Sequence, residues 1–408
     1  MSGPVLIAAG GTGGHVVPAL AVAGVLRERG VAVVWAGTER GLEAHLVPDA
    51  GIELLRIRVH ALRGQGGLDT LLAPLRLTRS IGQCIALVRR LRPRAVLGMG
   101  GFVSGPVALA ALALRVPLVL HEQNALAGLT NRRLARFATR VFAAFPDAFA
   151  DGVRIEVVGN PVSAAMTVAP LPALDTAVPL RLLVVGGSRG AQRLNTLLPE
   201  ALSLRGGTRP VSVLHQAGRG HSEATRARYA TAGAQRRCAA QGPDSVRVQD
   251  FLDDMPGAYR DADLVVCRSG AMTVTELAAR GRAAVLVPYP HAVDDHQSAN
   301  ARWLTGAGAA ILMPETRLSA AALAECLDRL EADRAELVAM SRAAAGQFVP
   351  GAAERVAEAL LRVSGGVVDE PPGAIADGLP GGETAPATAP ATAPATVPVP
   401  GTTRRGDR

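Results

Sequence analysis

Three glycine-rich turns carry the residue types and spacing that could act on a phosphate or a sugar. In the first, Gly10-Gly11-Thr12-Gly13-Gly14-His15, the glycines let backbone amides approach such a group closely, and Pro18 is tolerated early in the helix that follows. This turn lacks the dinucleotide fingerprint, because Val16 stands where the third small residue belongs, so nicotinamide binding is demoted. His15 opens the helix. Imidazole is the commonest side chain for proton transfer near neutral pH, which makes His15 the candidate general base; the plainer alternative is a helix cap. The second turn, Gly186-Gly187-Ser188-Arg189-Gly190, supplies amides and a hydroxyl at another helix start, where a diphosphate is the expected guest. The third, Cys267-Arg268-Ser269-Gly270, leads into Ala271-Met272-Thr273-Val274-Thr275-Glu276 and adds a carboxylate one turn into its helix. Glu276 there can grip ribose hydroxyls; taken alone, the segment reads as a capping Ser269 with Glu276 on a solvated face. Asp261-Ala262-Asp263 has the composition of a metal-binding pair but enters a strand instead of leaving one, and reads as turn chemistry. With no metal site expected, leaving-group charge falls to helix ends and arginine.

Each turn needs a strand before it and a helix after it. Short apolar runs alternate with amphipathic segments through the first 160 or so residues, the pattern of a parallel sheet covered on both faces. Strands are expected at residues 5–8, 31–36, 95–97, 118–120, 140–143 and 156–158. Three prolines within 163–179 break the rhythm. It resumes with strands at 181–185, 211–214, 262–266, 284–287 and 309–313. The expected plan is a first domain over 1–162, a linker over 163–180, a second domain over 181–345, a C-terminal helix over 346–368 and a tail over 369–408. Rich in Pro, Ala and Thr, that tail cannot bury a core and is expected to be disordered. Two similar halves imply a cleft, with ligands beyond the carboxyl ends of the strands.

Composition narrows the chemistry further. A chain of 408 residues fits two domains, and although 49% is apolar, no run reaches the ~18 residues a membrane span needs. The amino terminus runs straight into a strand with no basic leader or cleavage site, so a cytoplasmic location is expected. Cys84, Cys238, Cys267 and Cys326 fit no metal-ligand spacing and read as reduced, mostly buried thiols. All 43 basic residues counted as Lys plus Arg are arginine, which excludes a phosphate-loop lysine, a Schiff base and a lysine general base. A formal charge of +8 suits a nucleotide, a phosphorylated lipid or an acidic membrane surface. Nucleic acid is disfavoured, because aromatics for base stacking are few.

Taken together, the first turn, Gly98-Met99-Gly100-Gly101-Phe102-Val103-Ser104-Gly105-Pro106, His121-Glu122-Gln123-Asn124, Gly186-Gly187-Ser188-Arg189-Gly190-Ala191, Cys267-Arg268-Ser269-Gly270 with Glu276, and Asp294-Asp295-His296-Gln297 before Asn300 resemble the motifs of the MurG family. The match is collinear from about residue 5 to about 363. It implies an α/β GT-B fold of two Rossmann-like, doubly wound domains, with UDP-N-acetylglucosamine held mainly by the second. Carried over by position, Thr12, Gly13, Gly14, Asn124, Ser188, Leu252, Ala271, Met272, Thr273, Val274, Thr275, Glu276 and Gln297 would form the donor site, with no metal and no cofactor. The implied reaction is an inverting transfer of N-acetylglucosamine to lipid I, the undecaprenyl-linked muramyl-pentapeptide, by a peripheral enzyme on the cytoplasmic face of an anionic inner membrane. His15 would be the base, with His121 and Glu122 in reserve, and backbone around residues 252 and 271 would read the uracil. The family pattern carries an arginine after Asn-Pro-Val where this chain has Ser163, and Arg189 or Arg268 would take its place.

Rival readings keep the fold with a soluble acceptor or a UDP-sugar epimerase, or make the chain a non-catalytic sensor of sugar nucleotide. The loop from Gly98 to Pro106 favours a lipid acceptor, as does an amphipathic stretch from Leu68 to Arg92. Its second half, with Ile81, Cys84, Ile85, Val88 and Leu91, is expected to face the core. Its first half, with Leu68, Leu71, Leu72 and Leu75 beside Arg76 and Arg79, suits an interfacial segment among anionic headgroups.

Overall fold

A computed structural model describes residues 3–59, 67–150, 152–167, 178–187, 190–207, 210–234 and 246–365, with side chains of the helix that begins at Gly67 described from residue 76. The expected tail lies outside these residues, as do Ser188, Arg189, Cys238 and most of the expected linker.

Seven parallel strands form the first sheet: β1 (Val5–Ala8), β2 (Val33–Gly37), β3 (Glu53–Arg56), β4 (Ala95–Gly98), β5 (Leu118–Glu122), β6 (Arg140–Ala143) and β7 (Glu156–Val157). Their order is β3-β2-β1-β4-β5-β6-β7, so Val5 lies opposite Val33 on one side and Ala95 on the other. Every residue of β1, β4 and β5 is buried, as continuous apolar runs require in a sheet covered on both faces. The covering helices are α1 (Gly13–Glu28), α2 (Glu43–Asp49), α3 (Gly67–Leu91), α4 (Ser104–Ala113) and α5 (Leu129–Leu134). A short α6 (Ala164–Thr167) follows in the crossing to the second half.

The second sheet holds β8 (Leu180–Val185), β9 (Val211–Gln216), β10 (Val246–Gln249), β11 (Leu264–Cys267), β12 (Ala283–Leu286) and β13 (Ala310–Leu312), in the order β10-β9-β8-β11-β12-β13. Around it lie α7 (Gln192–Leu204), α8 (Ser222–Thr231), α9 (Met255–Asp261), α10 (Ala271–Arg280), α11 (His296–Gly306), α12 (Ala320–Ala332) and α13 (Arg334–Gln347). The last helix, α14 (Ala352–Ser364), crosses back. Its Val356, Leu360 and Val363 share a core with Val5, Val22 and Leu26, and it packs against α1 and β4. Fully burying an aliphatic side chain contributes about 1.5–3 kcal/mol, so this seam is a substantial part of the first domain's stability.

In each sheet the strand order reverses once, between β1 and β4 and between β8 and β11. Crevices at such reversals are where open parallel sheets bind ligands. The turns after β1 and β4, and those after β8 and β11, are the glycine-rich segments of the sequence. Asp263 lies at the other end of its sheet, where it is buried and accepts from the Arg181 amide (2.9 Å) and guanidinium (2.5 Å), a role in joining β8 to β11.

Candidate active site

At the first reversal the two turns are locked into each other. A Cβ at Gly101 would sit 2.2 Å from the Gly10 carbonyl oxygen, and Gly101 has a positive φ of 80°, so only glycine fits. Glu43, fully buried at the start of α2, accepts from the Gly11 amide (2.9 Å), the Thr38 amide (3.0 Å) and the Thr38 hydroxyl (2.7 Å). Trp35 of β2 donates its indole N–H to the Ala9 carbonyl at 2.8 Å. Sequence reasoning missed Glu43, which stands in no glycine-rich motif and has no local signature in the short helix Glu43–Asp49. These contacts leave the amides of Gly13 and Gly14 unpartnered among the described residues, at the positive end of α1.

Thr12 occupies the cap position of α1, so His15 is not the cap; it lies inside the first turn, half-buried. Its ring meets the glycine turn after β4, where a Cβ at Gly100 would come within 2.8 Å of Nδ1. The same Nδ1 lies 3.0 Å from Gln123 Oε1, just beyond β5. His121 and Glu122 are engaged elsewhere. His121 is fully buried, with its pKa pushed down to about 4 by desolvation against a smaller opposing effect of its hydrogen bond to Gly159. Glu122 is buried too and accepts four hydrogen bonds: from the Asn124 amide (3.0 Å) and side chain (3.2 Å), the Gly128 amide (3.1 Å) and Asn131 (2.9 Å). Neither reserve base is free to reach a substrate.

At the second reversal the first-turn amides of α10, on Ala271, Met272 and Thr273, have no partner among the described residues, and α7 presents its own amino terminus nearby in the sheet order. The start of α8 differs, because Asp250 fills it. That carboxylate accepts from the amides of Gly220 (2.8 Å), His221 (3.2 Å) and Ser222 (2.9 Å), which hold its pKa down at about 2. Ser269 does not cap α10 either; its hydroxyl donates to the Gln297 carbonyl at 2.8 Å. Gln297 Oε1 accepts from the Tyr289 amide at 2.9 Å, which leaves its Nε2 to donate outward. Asp294 and Asp295, just before Gln297, both take left-handed backbone (φ 53° and 52°), a strain of about 1 kcal/mol each.

Glu276 is not on a solvated face. It is half-buried, accepts from the Tyr259 hydroxyl at 3.0 Å, and burial raises its pKa to about 7 although that hydrogen bond pulls the other way. Leu252, after β10, is half-buried and packs with the core behind α9 and α10, its backbone amide unpartnered among the described residues. Arg268, one of the two arginines that could take the place of the missing one, is anchored through a single guanidinium nitrogen, Nη1. Its guanidinium donates to the carbonyls of Val287 (3.2 Å) and Pro288 (3.1 Å) and pairs with Glu315 (3.1 Å). Arg189, the other candidate, lies outside the described residues, and Ser163 is exposed.

Two buried asparagines join the halves. Asn300 Nδ2 donates to Asn124 Oδ1 (3.3 Å) and the Ser269 carbonyl (3.1 Å), while its Oδ1 accepts from the Ala125 amide (2.8 Å). Asn160 donates to the Gln123 carbonyl (3.0 Å) and the Thr275 hydroxyl (3.0 Å). Asn124 and Thr275 therefore tie the first crevice to the second. Asn160 opens the Asn-Pro-Val segment of the family pattern, but nothing in the sequence pointed to it as a bridge between the halves.

Paired parallel sheets, with glycine turns and open helix amino termini at both reversals, make this a protein of the two-domain GT-B fold. The family model for the glycosyltransferase family 28 N-terminal domain matches residues 5–143, and that for the C-terminal domain matches residues 181–356. A UDP-N-acetylglucosamine--N-acetylmuramyl-(pentapeptide) pyrophosphoryl-undecaprenol N-acetylglucosamine transferase of Chromohalobacter salexigens is 50% identical over 356 residues, covering 86% of this chain and 94% of the relative. One of the same name from Alkalilimnicola ehrlichii is 52% identical over 365 residues, covering 88% and 99%. A crystal structure of MurG from Acinetobacter baumannii superposes with a TM-score of 0.73 at 37% identity, covering 88% of this chain and 99% of that one. The chain belongs to glycosyltransferase family 28 and, within it, to the MurG family.

Proposed function

We infer that this protein is an inverting N-acetylglucosaminyltransferase that moves N-acetylglucosamine from UDP-N-acetylglucosamine to the muramyl 4-hydroxyl of lipid I, giving lipid II in peptidoglycan synthesis. The observation that carries this reading is 50% identity across 94% of a relative named for that transfer, spanning both crevices. In the mechanism we propose, the 4-hydroxyl oxygen attacks the anomeric carbon and its proton passes to His15 Nε2. The bond to UDP breaks on the opposite face, and the electron pair leaves with the diphosphate. Unpartnered amides of α10 and α7 offset that charge. Glu276 holds the ribose hydroxyls, backbone at Leu252 and Ala271 reads the uracil, and Gln297 Nε2 donates to the sugar. Thr12, Gly13 and Gly14 border the reacting sugar, while Asn124 and Thr275 hold the two crevices in register; Met272, Thr273 and Val274 contribute the α10 turn. Incubation with UDP-N-acetylglucosamine and a lipid I analogue should release UDP and add one N-acetylhexosamine to the analogue, read by mass. Turnover on soluble sugars with none on the lipid analogue would overturn the acceptor assignment.

Among the described residues no helix is long and apolar enough to cross a membrane. We propose peripheral attachment at the cytoplasmic face, with an anionic membrane surface as partner. The helix α3 is continuous, and its second half packs Cys84 and Val88 into the first domain's core. The side chains of Leu68, Leu71, Leu72 and Leu75 lie outside the described residues, and Arg79 is exposed. Each basic residue near an anionic surface contributes about 1 kcal/mol, screened by salt. A Leu71→Ser, Leu75→Ser, Arg76→Ser, Arg79→Ser variant should lose sedimentation with anionic liposomes yet keep activity on a short-chain soluble acceptor. Equal sedimentation of two active proteins would refute this face.

A further inference from the structure

Behind His15 runs a hydrogen-bonded chain of side chains that ends on the backbone between the two halves. His15 Nδ1 lies 3.0 Å from Gln123 Oε1, Gln123 Nε2 lies 3.1 Å from His121 Nδ1, and His121 Nε2 lies 2.9 Å from the Gly159 carbonyl oxygen. An imidazole and an amide can each be read in two directions, but the far end of this chain permits one. A carbonyl oxygen only accepts, so His121 carries its proton on Nε2. Its Nδ1 is then an acceptor, the Gln123 nitrogen must face it, and the amide oxygen is left for His15. Two more contacts fix the same amide orientation: Gln123 Nε2 also lies 3.1 Å from the His121 carbonyl oxygen and 3.8 Å from Met99 Sδ, both acceptors. Burial keeps His121 neutral, with its pKa pushed down to about 4, so the chain has one direction throughout the physiological range.

The Gly159 carbonyl is itself held in place. Gly159 has a positive φ of 78°, and a Cβ there would lie 3.0 Å from Val349, so the backbone at this crossing fits glycine alone. The next residue, Asn160, grips both the Gln123 carbonyl and Thr275 of α10.

We propose that Gln123 and His121 are positioning residues that hold His15 in its Nδ1–H tautomer, so that Nε2 presents the lone pair. The proposal rests on the reading of His15 as the general base. Nε2 has no hydrogen-bond partner among the described residues. When it takes the hydroxyl proton, the Nδ1–H bond to Gln123 stays in place and the amide oxygen stabilises the imidazolium without accepting a proton. Neutral imidazole free of such a constraint distributes its proton over both nitrogens, and the share on Nε2 is useless as a base.

Long-range proton–nitrogen correlation spectra of the full chain with 15N-labelled histidine test this directly, with His15→Ala identifying the His15 signals. Near pH 7.5 the wild type should show Nδ1–H for His15 and Nε2–H for His121. A wild-type His15 in the Nε2–H form overturns the proposal without any variant. Gln123→Leu should mix the His15 tautomers and lower kcat by roughly 10- to 100-fold, less than loss of the base itself, with KM for UDP-N-acetylglucosamine nearly unchanged. Should Gln123→Leu keep both full kcat and a pure Nδ1–H signal while His15→Ala is inactive, the positioning role falls and the base survives. If His15→Ala retains full kcat, the base assignment falls instead, and the tautomer signals still decide whether the chain orients the ring.

Discussion

His15→Ala is expected to lower kcat by roughly 10²- to 10⁴-fold, the range for losing a positioned general base, with almost no change in UDP affinity. The separation of the two effects follows from the structure. His15 lies in the first crevice, with its ring against Gly100 and Gln123, whereas Glu276 and the unpartnered amides of α10 lie in the second. Steady-state kinetics with saturating donor, paired with calorimetry using UDP alone, reads both quantities. Loss of UDP binding with normal turnover at saturation would make His15 a donor contact and return the base to an unidentified group. Because His121 and Glu122 are already engaged by Gly159, Gln123, Asn124, Gly128 and Asn131, neither should rescue the variant.

Glu276→Ala should weaken UDP binding by about 1 to 3 kcal/mol, the range for a hydrogen bond to a charged group. The raised pKa adds a pH signature. Ribose hydroxyls bind the carboxylate as an acceptor, and the free carboxyl titrates at about 7, so the acceptor form dominates above that pH and is lost as pH falls through it. Wild-type affinity should therefore drop between pH 8 and pH 6, by up to about tenfold per unit at the steepest. UDP has a titrating phosphate of its own, so the informative quantity is the difference between wild type and Glu276→Gln, in which that contribution cancels. Parallel pH curves for the two proteins would place Glu276 away from the ribose. Tyr259→Phe removes a hydrogen bond that favours the ionised carboxyl and should shift the wild-type curve to higher pH.

The buried centre of each sheet was legible because apolar runs announce strands covered on both faces. The expected strands at 5–8 and 140–143 coincide with β1 and β6, and the three turns between strand and helix stand where their glycines put them. The edge strands β3 and β10 went unread. Glu53, Arg56, Arg247 and Gln249 interrupt their apolar pattern, as suits strands with one unpaired side and partial exposure. Of the site, residue types near the glycines could be read, but their partners could not. Gln123 is 108 positions from His15, and Asn300 is 176 from Asn124, so neither contact has a local signature. Glu43 and Arg268 show the limit in both directions: a carboxylate outside any motif holds the first turn, while an arginine inside a motif anchors its Nη1 on two carbonyls and Glu315.

The return of α14 to the first sheet bears on how the chain is made. Val356, Leu360 and Val363 close a core begun by Val5, so the first domain is completed by residues that leave the ribosome some 200 positions after its last strand. At about 5–20 residues per second, roughly ten to forty seconds pass in which the face of α1 and β4 is present without its cover. Messages that end early, or proteolysis ahead of Ala352, would leave a first half with an open apolar seam, a target for chaperones and proteases instead of a stable fragment. The same clasp passes the chain between the halves twice, once near Gly159 and once before Ala352.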